Sequence, residues 1–130
     1  MSNFKLTKTE RLCNPKLISR LFDEGESIYI FPLKVVHLET PLTTQFPVQV
    51  SFSVSKKNFK RAVKRNLLKR RMREAYRLNK PTFYASLPDG RQVAFMIIYT
   101  CKEIKDYKLI EKSMIKLMQK LANSLHRKRD

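Results

Sequence analysis

The sequence is short of acid, glycine and cysteine, and it contains no tryptophan. Each shortage excludes something. No run of 18 apolar residues occurs, so no helix is expected to span a bilayer. The start, residues 1–12, lacks an apolar block with a small-residue cleavage site, so no secretory signal is expected. Cys13 and Cys101 are the two cysteines, far apart and without C-x-x-C spacing. They therefore read as reduced thiols of a cytoplasmic protein rather than a disulfide framework or a zinc site. His37 and His126 are the two histidines. They are widely separated and have no evident nucleophile beside them in sequence. With 2 glycines there is no Gly-rich phosphate loop, and neither D-x-D nor H-E-x-x-H occurs. No catalytic residue and no protein-held metal is therefore expected. Any chemistry this chain takes part in must lie elsewhere.

What is present is positive charge. Lys and Arg number 28 against 11 Asp and Glu, a formal net charge of +17 over 130 residues. Such an excess repels itself and calls for a polyanion. Nucleic acid is the first candidate for a domain this basic, with an anionic membrane surface as the rival. The hydrophobic fraction of 42% is enough for one compact core without disulfides. One domain over 1–130 is expected, with 1–8 and 127–130 flexible.

Along the chain, residues 1–12 read as a loose basic arm. Asn14-Pro15 is an N-cap followed by proline at the first helical position. Leu17, Ile18, Leu21 and Phe22 then recur at helical spacing to Gly25, which predicts a helix over 15–24. Residues 28–38 are β-rich and read as one strand, with Pro32 placing it at an edge or bulge. Residues 39–47 read as a loop. Residues 48–55 alternate: Val48, Val50, Phe52 and Val54 face one way, Gln49, Ser51, Ser53 and Ser55 the other. A long helix is predicted over 61–79, a loop over 80–90, and a strand buried on both faces over 92–100. A final helix over 103–126 carries the stripe Ile104, Tyr107, Ile110, Met114, Leu117, Leu121 and Leu125. The order α-β-β-α-β-α makes an α+β fold, a small α/β sandwich.

The charge is concentrated in 56–80, which holds twelve Lys or Arg and one acid, Glu74. On a helix, Arg65, Asn66, Lys69, Arg70, Arg73 and Arg77 fall in one arc of about 140°. Val63, Leu67, Leu68, Met72 and Ala75 take most of the remainder, and Tyr76 falls at the arc's edge beside Arg65. One face can thus pack on a sheet while another meets a partner. Arginine's planar fork grips phosphate bidentately, and Asn66 can both donate and accept. A solvated basic face would not need that asparagine. A DNA-groove helix is a weaker reading, because no helix-turn-helix pair precedes this one.

The stretch Ser53-Val-Ser-Lys-Lys57, followed by Arg61 through Tyr76, resembles the signature of the bacterial ribonuclease P protein family. That family's R-N-x-x-K-R-x-x-R motif is matched by Arg65, Asn66, Lys69, Arg70 and Arg73, and Arg11-Leu12 with Phe22 and Gly25 matches its opening helix. The resemblance implies a left-handed βαβ crossover, against the general right-handed rule. It implies that Arg61, Arg65, Asn66, Lys69, Arg70, Arg73 and Arg77 contact a catalytic RNA subunit. It further implies that a cleft formed by Ile18, Phe22, Lys34, Ser51, Ser53, Ser55, Lys56 and Lys57 holds the single-stranded 5′ leader of precursor tRNA. The family often has aromatics where Ile18 and Lys34 stand, which implies a more electrostatic hold. The holoenzyme would be an endoribonuclease whose RNA subunit and substrate hold Mg²⁺, with no membrane contact and no protein oligomer. A ribosomal or RNA-chaperone protein would share the charge and the sandwich without needing a single-stranded cleft.

Overall fold

The computed structural model describes residues 10–42 and 46–127. The expected tails at 1–8 and 128–130 lie outside these. The elements are α1 (Pro15–Glu24), β1 (Glu26–Ile30), β2 (Leu33–Glu39), β3 (Val48–Val54), α2 (Ala62–Ala85), β4 (Val93–Tyr99) and α3 (Tyr107–Arg127). Four strands form one mixed sheet in the order β1-β2-β4-β3. The two hairpin-side pairs are antiparallel, and β3 runs parallel to β4. The β3–α2–β4 unit is the parallel crossover to which the family resemblance assigns a left hand.

The segment 28–38 is not one strand. It is the hairpin β1–β2, with Phe31-Pro32 at its turn and a cis peptide bond between them. Proline cannot donate to a ladder, and here it stands between two strands rather than inside one. The element order gains a strand accordingly, and β2 sits inside the sheet rather than at its edge.

Both faces of the sheet are covered. On one face α2 and α3 close the larger core, built from Leu33, Val35, Val50, Phe95, Ile97 and Tyr99 against Leu68, Met72, Tyr76, Met114 and Leu121. On the other, α1 sets Leu21 against Val36, Ala94 and Met96. β4 faces apolar layers on both sides, hence its nearly continuous apolar sequence. Asn14 caps α1 as expected, its side chain accepting from the backbone N–H of Lys16 and Leu17. Gly25 ends α1 in an extended conformation. Glycine is needed there for space: a Cβ would lie 2.3 Å from the Leu21 carbonyl oxygen and 2.9 Å from that of His37.

Three boundaries differ from the sequence reading. α2 continues through Pro81 to Ala85, because Phe83 is buried among Tyr76 and Phe95. That packing outweighs the hydrogen bond proline forfeits in a helix. α3 starts at Tyr107, not 103. The Tyr99 hydroxyl donates to the Glu103 carbonyl and accepts from the Lys105 N–H, which holds the preceding residues in a turn. Asp106 then caps the helix through the Leu109 N–H, and Ile104 stays exposed. Arg127 is the last residue of α3 rather than part of a frayed tail. The end of the supposed loose arm is also docked. Leu12 is buried and its N–H donates to the Val50 carbonyl, while Glu10 is fully buried. The Glu10 carboxylate pairs with Lys80 at 3.1 Å and accepts a 2.6 Å hydrogen bond from Tyr84.

Candidate nucleic-acid interface

The basic helix places its charges as the arc requires. Leu68, Met72, Ala75 and Tyr76 are buried, which orients α2 on the sheet and turns the arc outward. Arg61, Asn66, Arg70 and Arg73 are exposed, and Lys69 is half-buried. Arg61 is the N-cap and makes no side-chain capping bond. The first-turn N–H groups therefore lie beside Arg61, where the helix end favours an anion.

Two members of the arc carry internal partners. Arg65 donates through Nη1 to the carbonyls of Phe59 and Lys60, both at 2.8 Å. It fixes the turn before the helix and keeps its other donors for a ligand. Arg77 meets the Glu74 carboxylate with both Nε and Nη2, a hydrogen bond that raises its pKa and offsets its charge. Arg71 lies off the arc and donates to the Lys105 carbonyl, tying α2 to the approach of α3.

The second surface is the sheet face on which α1 lies. Strand register sets its rows. Tyr29, Lys34, Ile98 and Ser53 stand side by side across β1, β2, β4 and β3, and Ser27, Val36, Met96 and Ser51 form the next row. At about 4.8 Å between strands, the first row is roughly 14 Å long. α1 packs on Val36 and Met96, next to the first row. Ile18 is half-buried on α1 and Phe22 is 53% exposed, so Phe22 is not a core residue. The register and the packing of α1 therefore gather Ile18, Phe22, Lys34, Ser51 and Ser53 about one side of the sheet.

Ser55 stands just past β3, outside the strand rows. Its hydroxyl accepts from the Lys57 N–H and its carbonyl from the Phe59 N–H. Phe59 is buried against Tyr99, which anchors the loop and leaves Lys56 and Lys57 exposed beyond the end of β3.

Sequence reasoning passed over Tyr29. It is 57% exposed and lies directly opposite Lys34 on the α1 side of the sheet. Its signal was an aromatic in a half-polar strand.

The titratable groups buried near these surfaces are structural. Burial pushes the hydroxyls of Tyr76 and Tyr84 well above the ordinary phenol range, so both remain neutral donors in the Glu10 network. Burial lowers the pKa of His37. Among the described residues, no three His, Cys, Asp or Glu side chains come together as a metal site. No described helix is long and apolar enough to cross a membrane. Cys13 is exposed and Cys101 half-buried, both as free thiols.

Comparison with known proteins bears on the family and the fold. The family model for ribonuclease P matches residues 6–122. The ribonuclease P protein component of Porphyromonas gingivalis (strain ATCC 33277) is 35% identical over 127 residues, covering 95% of this chain and 91% of that protein. The corresponding component of Chlorobium phaeobacteroides is 36% identical over 130 residues, covering 92% and 89%. Among solved structures, the Staphylococcus aureus RNase P protein superposes with a TM-score of 0.67 at 22% identity, covering 91% of this chain and 99% of that one. The Thermotoga maritima RNase P protein gives 0.66 at 24% identity, covering 84% and 97%. The structural likenesses bear on the fold alone.

Proposed function

The chain belongs to the ribonuclease P protein family, the protein component of a tRNA-processing ribonucleoprotein, and from that premise we propose how its two surfaces divide the work. The arc of α2 binds the catalytic RNA subunit through Arg61, Asn66, Lys69, Arg70 and Arg73, with Arg65 and Arg77 at its borders. The open row beside α1 holds the single-stranded 5′ leader of precursor tRNA. Phe22 and Tyr29 stack on leader bases, Ser51 and Ser53 lie along the floor, and Lys34, Lys56 and Lys57 meet phosphates. Stacking of this kind tolerates any sequence, which suits a leader that differs between tRNAs. Tyr29 supplies an aromatic ring on a surface where Ile18 and Lys34 do not.

The observation that carries this reading is the exposure of Phe22 and Tyr29 on the side of the sheet that α1 leaves partly open. A protein that only neutralised charge would have no use for two half-exposed rings there. On the same reading the chain furnishes no catalytic group. Hydrolysis of the phosphodiester bond, leaving a 5′-phosphate, belongs to the RNA subunit. Magnesium ions would be held by that RNA and the substrate, since both surfaces of this chain are cationic and the wrong charge for a divalent cation.

Reconstitution tests the proposal. The purified protein is mixed with a bacterial ribonuclease P RNA at low Mg²⁺ and near-physiological salt, and cleavage of precursor tRNA is followed. Cleavage at the mature 5′ end that requires both components is expected. A protein that adds nothing, even with its cognate RNA, would favour the ribosomal or chaperone reading.

A further inference from the structure

We propose that α1 separates two RNA tracks, and that its second flank, turned away from Phe22, is a binding groove for the phosphodiester backbone. Taking buried Leu21 as the reference, Phe22 and Arg20 project about 100° to either side of it. Ile18 accompanies Phe22, and Lys16 accompanies Arg20. On the Arg20 side lies an open groove of about 410 Å³ between α1, Thr40–Leu42 and Gln49 of β3. Arg11, Lys16 and Arg20 line it, and among the described residues no carboxylate does.

The far wall is held in place. The Thr40 N–H donates to the Gln92 carbonyl, and the Leu42 N–H to the Gln92 side-chain Oε1 at 2.8 Å. The Gln92 amide in turn donates to the Phe46 carbonyl. Arg20 reaches across to Thr40 Oγ1 at 3.5 Å while its Nε pairs with Glu24. Leu17 and Leu42 give the groove an apolar floor between its cations. Three cations along an apolar floor, with one wall held by hydrogen bonds, suit a sugar–phosphate strand. The helix N–H groups of the first turn are already satisfied by Asn14, so the side chains carry the contact.

The proposal rests on RNA being the partner of this chain, and either the catalytic RNA or the precursor could provide the strand. Cys13 lines the groove and is exposed, so it takes a photo-reactive group directly in a Cys101→Ser background. A control protein carries the same group at position 57 through Cys13→Ser, Lys57→Cys and Cys101→Ser. Each is assembled with ribonuclease P RNA and precursor tRNA, irradiated, and the attached nucleotides mapped. Attachment from Cys13 to either RNA supports the groove and identifies which RNA fills it. Attachment from position 57 alone overturns the groove and leaves the leader cleft standing. Attachment from Cys13 alone supports the groove and counts against the cleft, and attachment from neither overturns both.

A second measurement uses Lys16→Ala with Arg20→Ala, its fold checked by circular dichroism and melting. Affinity for the attached RNA should fall about 10-fold, and the slope of log affinity against log salt should lessen by roughly 1.5. A folded variant with unchanged affinity and slope would sink the proposal.

Discussion

Phe22 and Tyr29 are bound to the fold by backbone and by neighbours, yet each keeps about half its surface in water. Replacing either with alanine should therefore leave stability nearly unchanged. Leader-bearing precursor should be held less tightly by about 1–3 kcal/mol per ring, while affinity for mature tRNA stays the same. Equal losses on both RNAs, measured by filter binding, would remove the rings from the leader. Phe22 was legible in the sequence because a helix register needs only four or five residues. Tyr29 was not. In one strand over 28–38, period two puts Tyr29 on the side of Leu33 and Val35, in the core. The turn at Phe31-Pro32 reverses that parity and sets it opposite Lys34. His37 is a buried single residue with a different consequence. Its pKa is lowered by burial below the ordinary 6.5, so between those two values the unfolded chain binds the extra proton. Its contribution to stability is full above pH 6.5 and declines as pH falls toward the depressed value. Urea midpoints should drop between pH 7.5 and 5, and part of that drop should vanish in His37→Phe.

At the scale of elements, α2 carries an anchoring arginine and, on the proposed reading, RNA-binding ones in one helix. Arg65 holds the Phe59–Lys60 turn while Arg73 is exposed. Arg73→Ala should weaken binding to the catalytic RNA without lowering the melting temperature. Arg65→Ala should lower both, and the comparison separates the two roles. The far end of α2 is fixed by the buried pair of Lys80 and Glu10. Glu10→Gln leaves a buried ammonium without its counter-charge, which costs about 3–5 kcal/mol. Chemical denaturation would show this as a lower midpoint, and an unchanged midpoint would mean that Lys80 reaches water. Patterning within an element was readable in part: the caps of α1, the alternation of β3 and the burial of Leu68, Met72 and Ala75 in α2 follow from local spacing, whereas Val63, read with that apolar set, is 78% exposed at the start of the helix. The docking of Glu10 was not, because its partner lies 70 positions away. The extension past Pro81 likewise depends on Phe83 finding Phe95 across the core.

For the whole molecule, the sandwich and its two charged surfaces follow from composition and order. The extra strand and the order of strands in the sheet do not, since nothing local tells β2 that its neighbour will be β4. On the proposed reading many of the 28 cations meet phosphate at once, so assembly with RNA should show a steep salt dependence, a slope of several units in log–log form. A slope near one, measured between 50 and 300 mM salt, would mean that a single contact dominates.

The position of β4 bears on synthesis. The hairpin β1–β2 and the strand β3 are made first, yet they do not touch each other: β4 lies between them. Until residues 93–99 emerge from the ribosome, the early part of the chain has two pieces of sheet and no bridge. The basic helix, already complete at residue 85, must wait for a strand made after it before it has a floor to rest on. A chain ending at residue 92 should therefore show no cooperative melting, and protease resistance should arise only once β4 is present.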